Sequence, residues 1–410
     1  MKNIFAFLIV FLLLLQPTVL AASTPQAAFV RHNDLWMKIG NAEIKVTEGI
    51  SAAFPKWSPD GQLIAYLSTP KDVEFAPRVG ELWLYHLDSQ KHTKISSNAS
   101  ANFRWSPKHN VLAFQSDNDL LQARTSGPTQ KIASDVINFS WLPDGNGFLT
   151  SSKAGENVYS DIVLKKILWN NESDQYQTEH FYTIKVGAND YFYGTSAFKW
   201  SPDRRWIAFE LVPTASLSAD NNTLSILSSD AKVFRRIDQM LNYEEWFHWA
   251  PGVSHLGYIQ GVSRLATETK TFRVMKTEQN AAEAFTPAGY VDRDFDWQTN
   301  HLVYVSRSKE SKGFNVQQRP MPSLYKIDTR TKTVMKITSP SAKDGDFRPQ
   351  FTDQQLLWIR TNREKANVWI ASPNGLDQRI WIQNLDLGAW YYEHWDWDQV
   401  FSLYRKSRNP

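Results

Sequence analysis

Cysteine is absent from all 410 residues, so no disulfide can form and no N-terminal cysteine can carry a lipid. An excess of one charge sign is missing too: 45 Lys and Arg stand against 42 Asp and Glu, a net +3. No dense basic patch is present, which argues against nucleic-acid binding of the phosphate-neutralising kind. After residue 25 no apolar run is long enough to cross a bilayer. The nine His residues are scattered, with neither H-E-x-x-H nor paired spacing, so no zinc site is expected. Asp117, Asp119 and the run Asp292, Asp294, Asp296 lack the closing Glu of a calcium loop and read as solvated turns. No metal or other cofactor is expected. A G-x-S-x-G nucleophile elbow is also missing, because Gly49-Ile-Ser-Ala-Ala and Gly252-Val-Ser-His-Leu lack the closing Gly.

The chain opens with one charge at Lys2, an apolar stretch from Ile4 to Leu15, then Pro17 and the small residues Ala21 and Ala22. Charged head, apolar core and small-residue exit predict a signal peptide over residues 1–22. Its 12-residue core is short for a helix that must span about 30 Å of hydrocarbon. Export without disulfides fits a bacterial periplasm, cell wall or exterior. Residues 23–410 are expected to form one domain, monomeric and not inserted in a membrane.

Tryptophan, by contrast, is plentiful, with 17 residues, and it recurs in a fixed context. FPKWSPDGQLIAYLS surrounds Trp57, FRWSPKHNVLAFQS Trp105, FSWLPDGNGFLTSS Trp141 and FKWSPDRRWIAFEL Trp200; weaker copies surround Trp249, Trp297, Phe351 and Trp397. A repeating unit of roughly 40 to 50 residues holding about four strands is the signature of a β-propeller. In each unit an alternating segment precedes a Ser-Pro-Asp-Gly turn, where Pro fixes φ and Gly takes a positive φ. A continuous apolar run follows, as suits a strand packed on both faces. The anchors each bury on the order of 150 to 250 Å² and are read as core.

The ends predict how the ring closes. Residues 27–50 supply a second, third and fourth strand, and residues 391–404 a first strand and one more. Joined, they complete a blade and remove the free sheet edges. The expected fold is all-β, a propeller of four-stranded antiparallel blades, eight in number with seven as the alternative, closed by N- and C-terminal strands in one composite blade.

The W-S-P-D-G turn, the apolar run and the following Glu/Asp-Leu-Trp resemble the WD40-like repeats of TolB-type propellers. Similar repeats occur in the propeller domains of prolyl oligopeptidase-type peptidases. The resemblance is fullest at Trp57 and Trp200 and covers most of residues 27–405. It implies the fold. It transfers no catalytic residue, since the peptidases act through a G-x-S-x-G elbow and TolB carries an α/β domain ahead of its propeller.

Loop lengths point to one face. The loops joining second and third strands are long at 68–80, 152–160, 212–222, 261–270 and 306–322, whereas third-to-fourth turns are short. Long loops without their own secondary structure are commonly functional. Segments ahead of the anchors add Tyr191, Tyr193, Tyr243, Glu245, Asp292, Asp294, Trp390, Tyr392 and Glu393, predicted to rim a funnel at the central channel. Aromatics beside carboxylates suit sugars, cationic groups or a protein partner. The expected function is therefore an exported, non-catalytic propeller that binds a protein or cell-envelope polymer. The alternatives are a carbohydrate-active hydrolase or lyase, with Glu244, Glu245 and Glu393 as the acid/base candidates, and a structural envelope component.

Overall fold

The computed structural model describes residues 24–69, 79–125, 127–170, 172–173, 175–279 and 281–406. The predicted signal peptide and most of the 68–80 loop lie outside them. Among the described residues eight antiparallel sheets of four or five strands are arranged as the blades of a propeller, with one two-stranded hairpin besides. The first blade runs Ser51–Trp57, Leu63–Thr69, Val79–His86 and Lys91–Ser100. Its apolar second strand packs on both sides, as its composition requires. Ile64 and Tyr66 join Ala28, Leu35 and Met37 of the closing blade, while Ala65 and Leu67 join Phe103, Leu112 and Phe114 of the second. Each of the larger aliphatic and phenyl side chains among them contributes about 1.5–3 kcal/mol.

The innermost strands of the second to seventh blades are Phe103–Trp105, Asn138–Trp141, the split pair Phe192–Thr195 and Lys199–Trp200, then Phe247–Trp249, Tyr290–Trp297 and Gly345–Thr352. The eighth blade is composite: C-terminal Phe401–Leu403 lies beside Gln26–Arg31, followed outward by Asp34–Ile39 and Ala42–Lys45. Phe29 opposes Phe401, and backbone bonds of 2.8 Å from Val30 N to Val400 O and from Tyr404 N to Gln26 O extend the seam. Gly61, at φ +72°, closes the first turn so near this seam that a Cβ would lie 2.8 Å from the Tyr404 ring.

The last anchor requires a correction. Trp397 lies in a short 3-10 turn, Trp397–Gln399, and the position equivalent to an anchor is Leu403. The surplus strand signal in YYEHWDW forms a separate hairpin, Trp390–Tyr391 with His394–Trp395. That removes the seven-bladed alternative.

The anchors do more than fill space. Five of the anchor indoles donate through Nε1 to the carbonyl one residue before the anchor position of the preceding blade. Trp57 reaches Ser402 at 3.2 Å, Trp105 reaches Lys56 at 3.0 Å, Trp141 reaches Arg104 at 2.9 Å, Trp249 reaches Lys199 at 2.8 Å and Trp297 reaches His248 at 3.2 Å. Trp200 Nε1 is buried without a partner among the described residues. Phe351 has no donor there, and its backbone N–H instead reaches the Asp296 carboxylate at 2.8 Å. The repeat thus specifies a belt of inter-blade hydrogen bonds around the hub.

Candidate functional site

Strand alternation sends the anchor and the residue two before it into the blades and leaves the residue between them for the channel. These positions hold Lys56, Arg104, Ser140, Lys199, His248, Asp296, Gln350 and Ser402. Lys56, Arg104, Ser140 and Ser402 line a central cavity of about 1190 Å³ that also meets Tyr193, Tyr243, Glu244, Glu245 and His394. A smaller cavity of about 280 Å³ is lined by His248, Asp296, Arg348, Gln350 and Arg405.

Glu244 and Glu245 stand on the 3-10 turn Glu244–Trp246, which is fixed from below by the fully buried Trp246. Glu244 reaches toward the opposite wall, where Arg104 Nη2 holds both its oxygens at 2.8 and 2.9 Å. Lys199 Nζ donates to the carbonyls of Glu244 and, at 2.9 Å, Phe247. Lys56 repeats the device three blades earlier, donating to Ala101 and Phe103 carbonyls at 3.2 and 2.8 Å. Burial lowers both ammonium groups to a pKa of about 8. Enclosure alone would raise Glu244, but Arg104 and Lys199 outweigh it and hold the carboxyl below its ordinary value.

Glu245 faces a different partner. Its Oε1 lies 2.8 Å from His394 Nε2, and the His394 ring stacks on Tyr243 at 3.5 Å and 11°. Enclosure would raise Glu245, yet the hydrogen bond and charge of His394, with Arg348 behind, bring it down. His248 is pushed well below its ordinary value by burial and by Lys199, Arg348 and Arg405, so it is neutral at neutral pH. Glu210 lies fully buried beneath this wall, with neither oxygen partnered among the described residues. Burial, reinforced by Glu244, raises it well above the usual carboxylate range.

The predicted rim residues separate into two groups. Tyr191 and Tyr193 are exposed, with Tyr191 packed edge-on to Tyr159; Trp390 is exposed and stacks on Tyr392; Tyr243 and Glu245 face the cavity. Asp292, Asp294 and Glu393 do not rim a funnel. Asp292 is fully buried with both oxygens 2.7 Å from Arg307. Asp294 accepts from Trp246 Nε1 at 3.3 Å and from Arg348 N at 3.0 Å. Glu393 is buried among Arg293, Arg319 and Arg363. The error has a local cause: the sixth inner strand begins at Tyr290 and bulges between Asp292 and Asp294, so these acids lie inside the sheet, not ahead of it. Sequence reading missed Arg104, Lys199, His248 and His394. The first three were marked by their place one residue before an anchor. Among the described residues, no group of three or more His, Asp or Glu is placed to hold a metal ion.

No protein-family model matches the chain. In sequence it is similar to the uncharacterised peptidase YuxL of Bacillus subtilis (strain 168), at 25% identity over 143 residues, covering 32% of this chain and 21% of that protein. In fold it is similar to the dihydro-heme d1 dehydrogenase NirN, with a TM-score of 0.57 at 14% identity over 88% of this chain and 73% of that one. It is also similar to a Mycobacterium tuberculosis puromycin-hydrolysing peptidase, with a TM-score of 0.50 at 11% identity over 82% of this chain and 54% of that one. The chain therefore spans about a fifth of the curated relative and about half of the peptidase. The structural likenesses bear on the fold alone. The sequence similarity to a peptidase overturns the expectation of a non-catalytic binder and the inclination away from an enzyme.

Proposed function

We propose that this chain is an exported hydrolase built on TolB-type, WD40-like repeats, acting on carbonyl bonds of an extended chain admitted at the channel mouth. The observation that carries the reading is the Glu245–His394 pair, 2.8 Å apart on the wall of the central cavity. A carboxylate bonded to one imidazole nitrogen fixes the orientation and tautomer of the ring. With Nε2–H donated to Glu245, Nδ1 is the basic nitrogen. It takes a proton from water as that water attacks the carbonyl carbon, then returns the proton to the leaving amine or alcohol.

The sequence similarity to a peptidase supports the bond class, and the cavity volume of about 1190 Å³ supports an extended substrate. Of the two candidate acids beside Glu245, Glu244 is held by Arg104 and Glu393 is buried, which disfavours glycoside cleavage by two free carboxylates. The test is a panel of aminoacyl p-nitroanilides and p-nitrophenyl esters offered to the mature protein. Turnover that falls about 10²–10⁴-fold in Glu245→Gln and His394→Ala supports the assignment. Turnover equal to wild type in both variants refutes it.

A further inference from the structure

Behind the hairpin that carries His394, three guanidinium groups converge on one carboxylate. Arg363 Nε lies 3.2 Å from Glu393 Oε1, Arg293 Nη1 lies 3.4 Å from Oε2, and Arg319 Nη1 lies 4.0 Å from Oε1. The arginine side chains are only 12%, 1% and 2% exposed, and that of Glu393 is fully buried. The third contact is too long to be a hydrogen bond. Arg319 Nη1 and Arg293 Nε are buried without a hydrogen-bond partner among the described residues.

The remaining donors meet neutral groups. Arg293 Nη2 donates to Ser308 Oγ at 2.9 Å and Pro320 O at 2.7 Å, Arg319 to the carbonyls of Gly313 and Phe314 at 2.9 and 3.2 Å, and Arg363 Nη2 to Arg319 O at 3.0 Å, besides a long second contact of 3.5 Å to Glu393 Oε2. Such dipoles solvate charge without cancelling it. Asp294 is the second carboxylate acting on Arg293. Arg348, which also faces Asp294, is matched by Asp398 at 2.7 Å. Three cations then stand against two anions, Glu393 and Asp294, leaving a single positive charge. Guanidinium groups do not shed protons to escape burial; even Arg293, lowered by burial to about 10, stays charged at neutral pH. Uncompensated buried charge costs several kcal/mol per ion.

We propose that the Arg293–Arg319–Arg363 cluster binds one monovalent anion of halide size, which completes the charge balance beside Glu393. The anion has a structural consequence. Glu393 and Tyr392 form the two-residue turn of the His394 hairpin, at φ +72° and +48°, a conformation that non-glycine residues adopt at a cost. Fixing Glu393 from behind therefore fixes the ring that meets Glu245. Anion binding itself does not depend on the hydrolase reading.

Crystals of the full chain soaked in sodium bromide provide the decisive test. An anomalous bromine peak within hydrogen-bond reach of Arg319 Nη1 is expected; absence of a peak at the cluster, with water there instead, overturns the proposal. In solution, at constant ionic strength, replacing gluconate by about 100 mM chloride should raise the wild-type melting temperature by about 3 °C or more. Arg319→Met should abolish that rise, and an undiminished rise overturns the site. If Arg319→Met does not fold, the less buried Arg363→Gln must weaken the response instead. The bromide peak decides whether or not either variant folds, and it is unaffected by failure to find a hydrolysed substrate.

Discussion

Trp141 Nε1 donates a 2.9 Å hydrogen bond to the carbonyl oxygen of Arg104, so the indole that anchors the third blade also fixes the backbone of the residue holding Glu244. Hub and channel wall are one construction. The tryptophan repeat sets the inter-blade spacing, and the residue before each tryptophan faces the axis.

This belt makes a graded stability prediction. Trp105→Phe removes the 3.0 Å bond to Lys56 and leaves that carbonyl short of a donor, at a cost of about 1–2 kcal/mol beyond the loss of indole volume. Trp200→Phe removes an Nε1 with no partner among the described residues and should cost less. Urea unfolding of the two variants measures the difference. Equal losses would show that the bonds contribute nothing beyond packing.

Closure at the composite blade is the second test. Deleting residues 401–410 removes the inner strand Phe401–Leu403, whose Phe401 and Leu403 are buried, and bares the edge of Gln26–Arg31. Losing two such side chains costs about 5 kcal/mol or more, a large share of a domain's stability. A truncated chain with an unchanged urea midpoint would contradict the seam.

Glu210 governs a pH dependence. Burial raises its folded-state pKa well above the ordinary 4.5. The sign follows: stability from the neutral carboxyl is complete below the unfolded value and is lost as pH rises. Wild-type melting temperature should thus decline from about pH 5 upward through this group. Glu210→Gln should flatten that decline and gain about 2–4 °C at pH 8. A parallel decline in the variant would exclude Glu210 as its source.

How much of this was legible beforehand follows from the physics of each part. The blade pattern was open to reading because Trp57, Trp105, Trp141 and Trp200 recur with their turns, and the turn and packing demands are local. The closing blade was legible in outline because residues 27–50 supply strands without an inner partner. Its inner strand was misplaced because the tryptophans at 395 and 397 imitate an anchor, whereas the pairing is decided by Phe29 opposite Phe401, far away in sequence. The mouth was half legible. Glu245 and Tyr243 are positioned by a local turn, but Glu393 owes its burial to arginines 30 to 100 residues distant, and Asp292 to Arg307 across a bulged strand. Charge pairing over such separations leaves no periodic trace.

The central claim is that the imidazole of His394, held by Glu245, performs the proton transfers of hydrolysis. Its most direct test is kcat/KM toward a carbonyl substrate that wild type turns over, compared between His394→Gln and His180→Gln, the latter altering an exposed outer-strand histidine. A loss of about 10²-fold or more is expected in the first and wild-type turnover in the second. Equal activity in the two variants, with both folded, would contradict it.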